Sequence, residues 1–241
     1  MRPTQSYTIW FSQRTGSTLL GAALGSTGVA GNHVGEWLHG LKPHEMKVED
    51  MEQMWAQGTS PNGVFGLKTS YQKEWINVFR DIFELPKETS RADIWNTAFP
   101  NCNKHIYMTR RNKVRLAVSW WRAIVSDEWH RNRGEKPSEV DLANRYNYEA
   151  INHLLLECTL REAALEDFFS EAGIVPLTIV YEDFIFEYEA TVRRVLAFLE
   201  IQDEGVIVAP PAYDKLADEV AEEWVQRFRR ERQAENEMLV W

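Results

Sequence analysis

An α/β fold, with a central parallel sheet flanked by helices, is predicted for this chain on three observations. Four short apolar runs, at residues 7–11, 64–68, 104–109 and 175–181, are each separated from the next by segments with helical spacing, the alternation that builds parallel sheets through right-handed crossovers. The first run stops abruptly at Phe11 and passes through the polar stretch SQRTGST, residues 12–18, into a helical pattern. A chain of 241 residues with 44% hydrophobic and 26% charged residues is able to bury one substantial core, so a single domain over residues 1–241 is expected.

In chain order, residues 7–11 read as a buried strand and 17–25 as a short helix closed by Gly25, with turns at Gly28 and Gly31. Residues 32–44 form a loop punctuated by His and Gly around GEWLHG. A helical pattern covers 46–57, the PNG of residues 61–63 marks a turn, 64–68 is the second strand and 71–83 the next helix. The third strand is KHIYMT, residues 104–109, after which Asn112 caps a helix that runs to about residue 131. Beyond the breaker RGEKPS a long helical pattern spans 140–172. Residues 175–181 are the fourth strand, 187–200 a helix, and 213–235 a last helix with a basic end. Open parallel sheets bind ligands at the carboxyl ends of their strands, where the loop at 12–16 falls.

Composition removes several functional classes. A net charge of −9 argues against an extended nucleic-acid or acidic-membrane surface, because contacts with phosphates dominate such binding, and leaves room for a small anion in a locally basic pocket. The two cysteines, Cys102 and Cys158, form no CxxC pair, so neither a disulfide framework nor a structural zinc site is expected, and both read as buried thiols in a reducing compartment. The first apolar run is too short for a signal-peptide core, and no run reaches the roughly 18–20 apolar residues of a membrane span. A cytoplasmic protein without a transmembrane segment is the expectation. His33, His39 and His44 are close in sequence, but their spacing fits no zinc pattern, so no metal is expected.

Two clusters carry the chemistry. A helix N-terminus presents unpaired N–H groups and a partial positive charge, so a Gly-containing loop leading into one suits a phosphate or sulfate. Here Arg14 supplies charge, Gly16 permits close backbone approach, and Ser17 and Thr18 place hydroxyls on the first turn. The GxxxxGK[ST] loop of nucleotide triphosphatases is not met: no Gly stands five before Gly16, and Ser17 occupies the lysine position. The second cluster is YMTRRNKVRLAVSWWRAIV, residues 107–125. Its helix puts Val114, Ala117, Val118, Trp121 and Val125 on an apolar face and Arg115, Ser119, Arg122 and Ser126 on a polar stripe. Arg111, at the strand end with Ser119 two turns on, is suited to a second phosphate, whereas Arg122 and Ser126 fit an ordinary solvated face.

SQRTGSTLL, followed about ninety residues on by RRNKVRLAVSWWRA, resembles the sulfotransferases that use 3′-phosphoadenosine 5′-phosphosulfate (PAPS). Within them the chain is most similar to the bacterial trehalose 2-sulfotransferase family. Features of that family, SQR.GSTLL, TGVAG, PNGV.G.K, AVS.WRA and EWV.R.RR, stand here at 12–20, 27–31, 61–68, 117–123 and 223–230, in the same order over nearly the whole chain. The resemblance implies the PAPS-sulfotransferase variant of the three-layer P-loop fold, PAPS as sulfuryl donor without a metal, and a homodimer. The acceptor implied is a hydroxyl of a trehalose-like carbohydrate or of another small molecule or glycolipid.

Residue by residue, the resemblance assigns Ser12, Gln13, Arg14, Thr15, Gly16, Ser17 and Thr18 to the 5′-phosphosulfate, with Arg14 also stabilising the leaving group. It assigns Arg111 and Ser119, eight residues apart, to the 3′-phosphate. Glu36 in GEWL takes the role of general base, although its setting NHVGEWLHG departs from the family pattern, and His33 and His39 are rival bases in the same loop. Lys68, Trp37 and Trp121 are expected near the acceptor, and Arg227 over the 3′-phosphate, while Arg229, Arg230 and Arg232 form a solvated helix end. Two other readings stay open at this stage: a P-loop kinase or NTPase, and a noncatalytic nucleotide-binding module.

Overall fold

The computed structural model describes residues 2–237, 239 and 240. Four strands, β1 (Gln5–Phe11), β2 (Val64–Thr69), β3 (Lys104–Thr109) and β4 (Leu177–Val180), form one parallel sheet in the order β2-β1-β3-β4. The register runs from Gln5 opposite Val64 to Trp10 opposite Thr69 on one side of β1, and from Tyr7 opposite Lys104 to Phe11 opposite Met108 on the other. β1 is buried from Ser6 to its end, as a central strand covered on both faces must be. Its period of two divides it between the layers. Tyr7, Ile9 and Phe11 join Leu20, Leu24, Val192 and Leu196, from α1 (Ser17–Ser26) and α8 (Tyr188–Phe198).

Trp10 points the other way, into the cluster built on α2 (Val48–Gly58), α3 (Lys73–Ile82), α4 (Arg91–Ala98) and the end of α6 (Tyr148–Ala172). A third cluster lies among α5 (Lys113–Ser126), α6 and α9 (Glu219–Ala234), centred on Leu116, Cys158, Trp224 and Phe228. The expected three-layer α/β architecture is therefore present.

Helix ends are where the structure departs from expectation. The helix expected to reach residue 131 stops at Ser126, because Asp127 adopts a left-handed conformation (φ 53°) and Glu128 turns to grip Arg131 through both carboxylate oxygens at 2.8 and 3.0 Å. The helix expected from residue 140 starts at Tyr148, where the Asn147 side chain accepts from Ala150 N. The last helix starts at Glu219, capped by Asp218, whose carboxylate accepts from Ala221 N. Residues 127–131 and 213–218, released from the expected helices, form with their neighbours a paired segment over 127–135 and 210–218. Asn132 bridges to Tyr213, Arg133 N donates to Ala212 O and Asp214 N to Arg131 O, both at 2.9 Å. They form a strap beside the carboxyl ends of the strands. α4 and α7 (Tyr181–Phe186) are also additions, each too short for its periodicity to show in sequence.

The Trp10 side of the core contains a titratable group. Trp10 Nε1 donates to His105 Nδ1 at 3.0 Å, and burial pushes the His105 imidazole from 6.5 down to about 4, against a weaker upward pull from a hydrogen bond with the Cys102 backbone. The unfolded chain therefore binds a proton that the folded chain refuses between about pH 6.5 and 4, and stability falls with pH across that window. Urea unfolding at pH 7 and pH 5 is expected to show a smaller loss of stability on acidification for His105→Gln than for the parent. Equal losses in the two proteins would show that His105 is not the group responsible.

Candidate active site

The segment after β1 is braced from below and open above. Ser12 Oγ donates to Glu162 Oε1 at 3.2 Å, and Thr15 Oγ1 to Ser12 O at 2.8 Å. These two residues are buried and face away from the cavity, which Gln13, Arg14, Gly16, Ser17 and Thr18 line. Arg14 and Gly16 are both left-handed, at φ 65° and 85°. A Cβ at Gly16 would lie 2.7 Å from the Tyr181 ring. Gly16 is the N-cap of α1, with no side chain satisfying the first-turn N–H groups, so this helix end is free to receive an anion.

The cavity has a volume of 1360 Å³, above the range usual for one small ligand. Its second wall is the stripe of α5 read as polar in the sequence: Arg115, Ser119 and Arg122 all line it. Ser119 Oγ accepts from Arg14 Nε at 3.2 Å, and Arg14 Nη1 donates to Trp129 O at 2.6 Å. Both acceptors are neutral. Burial, with Arg110 nearby, pushes the Arg14 guanidinium down to about 10, so it still carries its charge at neutral pH and stands ready for an anion. By contrast, Arg115 donates to Glu222 at 2.5 Å and Arg122 to Asp218 at 2.7 Å. Arg122 and Ser126, expected on a solvated face, are buried; Asp218 of the strap and the α5 backbone supply their partners.

Across the first turn of α1 lies Glu36. Lys68 N donates to Gly35 O at 2.9 Å, extending the edge of β2 by a bridge between Gly35 and Leu67 and fixing the neighbouring residue. Glu36 Oε1 accepts from Lys68 Nζ at 2.5 Å, and the same ammonium donates to Thr18 Oγ1 at 3.0 Å. Burial lowers the Lys68 pKa, while the Glu36 carboxylate raises it. Close packing of α1 on this segment depends on Gly21, where a Cβ would meet Val34 O at 2.5 Å.

Several expected site residues lie elsewhere. Arg111 does not line the cavity; its side chain is 63% exposed and pairs with Asp183 at 2.8 Å. The neighbour Arg110 lines it instead, stacked on Tyr181 at 4.7 Å. Its buried Nε is 3.6 Å from Glu182 and lacks a hydrogen-bond partner among the described residues. Lys68, expected to touch a ligand, is 6% exposed behind the wall.

Trp37 is turned inward onto Gly66 O at 3.2 Å and Trp121 outward onto Arg145 O at 2.7 Å. The tryptophans that line the cavity are Trp120 and Trp129. Arg227 stacks on Tyr146 at 4.0 Å and pairs with Glu231, outside the cavity lining. Of the rival bases His39 lines the cavity, while His33 packs its edge on Trp37. Among the described residues no cluster of His, Cys, Asp and Glu is arranged for a metal ion, and no helix is long and apolar enough to cross a membrane.

Gly16→Ala combines a left-handed backbone, which costs an L-residue about 1–2 kcal/mol, with a clash against the Tyr181 ring. Its melting temperature is expected to fall by at least about 2–4 °C, measured by calorimetry; an unchanged value would mean that the loop relaxes freely around Tyr181.

Comparison with known proteins bears on this site. The profile of the Stf0 sulphotransferase family matches residues 6–231. A trehalose 2-sulfotransferase of Mycobacterium tuberculosis is 27% identical, over 95% of this chain and 96% of that protein. A trehalose 2-sulfotransferase of Mycolicibacterium smegmatis is 26% identical over the same shares of the two chains.

Proposed function

The chain belongs to the Stf0 sulphotransferase family and is a sulfotransferase, and from that premise we propose that it moves the sulfuryl group of PAPS to a hydroxyl of a trehalose-like carbohydrate. The observation that carries the reading is the placement, around the first turn of α1, of a half-buried cation, Arg14, that donates to a hydroxyl and a carbonyl, and of a carboxylate, Glu36, held through Lys68 and Thr18.

In sulfuryl transfer the bond from sulfur to the 5′-phosphate oxygen breaks as the bond from the acceptor oxygen forms, and the acceptor proton must leave. Arg14 and the first-turn N–H groups of α1 stabilise the charge gathered by the departing phosphate, and being already in place they need no reorganisation. Glu36 accepts the acceptor proton. The second anion site is Arg110, whose side chain lines the cavity stacked on Tyr181, with Ser119 on the facing helix. The size of the cavity supports two ligands side by side, as the reaction requires. Homodimerisation and a cytoplasmic setting belong to the same proposal.

Incubation with PAPS and trehalose, read by mass spectrometry for a sulfated sugar, tests the activity. Phosphoryl transfer from ATP with Mg²⁺ and no sulfated product from any sugar would overturn it. Glu36→Gln is expected to lower kcat by about a hundred- to ten-thousandfold while leaving adenosine 3′,5′-bisphosphate binding near the parent value, the usual range for loss of a general base. A loss of only a few-fold would remove Glu36 from that role.

The second anion site is tested by the preference for adenosine 3′,5′-bisphosphate over adenosine 5′-phosphate. Arg110→Ala is expected to lose most of that preference and Arg111→Ala to keep it, in calorimetric titrations. The opposite ranking would return the 3′-phosphate to Arg111.

A further inference from the structure

The strap brings to the cavity a residue that no sequence motif singles out. His130 lines the cavity together with Glu36, His39 and Arg14. Its ring packs across the strap against Tyr213, with centroids 5.5 Å apart. The carbonyl of Trp129, just before it, is held by Arg14 Nη1 at 2.6 Å. Just after it, the Arg131 side chain is clamped by Glu128, and Arg131 O accepts from Asp214 N at 2.9 Å. The imidazole therefore stands at the open mouth on a backbone that is tied down on both sides. Among the described residues its ring nitrogens have no hydrogen-bond partner.

Charged groups surround it from every element nearby. Arg14 comes from the anion loop, Lys68 from β2 and Glu36 from the loop beyond α1. On the strap itself Glu128 and Arg131 satisfy each other, and Asp214 accepts from Gly134 N at 2.9 Å. Partial burial and the Arg14 and Lys68 cations lower the His130 pKa, with Glu36 pulling the other way. At neutral pH the ring is thus uncharged, with one N–H to donate and one nitrogen to accept.

We propose that His130 is an acceptor-binding residue that hydrogen-bonds a hydroxyl of a polyhydroxylated acceptor next to the one facing Glu36. The inference rests on the sulfotransferase reading above. A neutral imidazole matches a hydroxyl, or a vicinal pair, because each side offers a donor and an acceptor. Protonation removes the accepting nitrogen and sets a third cation beside Arg14 and Lys68. Acceptor binding therefore weakens as pH falls through the His130 pKa, while the donor's anionic groups, gripped by the loop and by Arg110, are held independently of this ring.

Two variants test it, His130→Ala and His130→Gln, the second keeping a donor and an acceptor but not titrating. With trehalose and PAPS, His130→Ala is expected to raise the acceptor KM about tenfold or more, the scale of one lost hydrogen bond, with adenosine 3′,5′-bisphosphate affinity within about twofold of the parent. His130→Gln is expected to stay near the parent KM at neutral pH and to lose the rise in KM on the acid side. An unchanged acceptor KM in His130→Ala overturns the proposal. So does an undiminished acid-side rise in His130→Gln, or a parallel loss of bisphosphate affinity. If the parent protein sulfates no sugar, the acceptor reading fails by itself. His130 is then judged by its imidazole NMR signal in the bisphosphate complex: movement on adding trehalose supports the assignment, and a stationary signal overturns it.

Discussion

A buried ammonium on a parallel strand is the constraint around which the site is organised. Lys68 leaves β2 with its side chain almost out of solvent, a placement that is costly unless every donor finds a partner. Its partners come from different parts of the chain: the Thr18 hydroxyl on α1, the Glu36 carboxylate, and the face of Phe11 at 5.1 Å. Satisfying one charge therefore sets the first turn of α1, the end of β1 and the loop of residues 32–44 at fixed distances from one another. The reacting groups sit on the solvent side of that knot.

A buried charge of opposite sign does the same on the other flank. Glu162 of α6 accepts from Ser12 Oγ, Thr109 Oγ1 and Lys113 Nζ, joining the end of β1, the end of β3 and the start of α5. The anion loop hangs between these two centres. This explains why Ser12 and Thr15, polar residues inside an anion-binding motif, are turned away from the cavity: their hydroxyls hold the backbone in the curve that carries Arg14 and Gly16. Oriented backbone groups act on an anion only while that curve persists.

The protein is acidic as a whole, with a net charge of −9, yet its cavity is rich in arginine. The two facts are reconciled by pairing. Arg115 and Arg122 are matched to Glu222 and Asp218, ties that also dock the start of α9 and the strap onto α5. Arg14 donates to a hydroxyl and a carbonyl and keeps its charge for a ligand. Selectivity for an anion at one point, rather than a general attraction for polyanions, follows from which cations are left unmatched.

The alternation of strand and helix periods, the polar loop from Ser12 to Thr18 and the polar character of the Arg115–Ser119–Arg122 stripe were legible in the sequence, because each depends on local chemistry or on a period within one element; Glu36 was singled out only through the family resemblance, and Arg122 was expected on a solvated face rather than buried. Tertiary structure decided what depends on the phase of neighbours. Arg110 and Arg111 are adjacent at a strand exit, where successive side chains point to opposite sides, and only the packing of Tyr181 and Asp183 determines which one meets the cavity. Trp120 and Trp121 stand about 100° apart around α5 by helical geometry, so the cavity receives the first and the Arg145 carbonyl the second. The strap was hidden because its pairing joins residues 131–133 to 212–214, some eighty positions apart in the chain. For the same reason His130 carries no signal in the sequence: it reaches the cavity through contacts that exist only once the chain has folded.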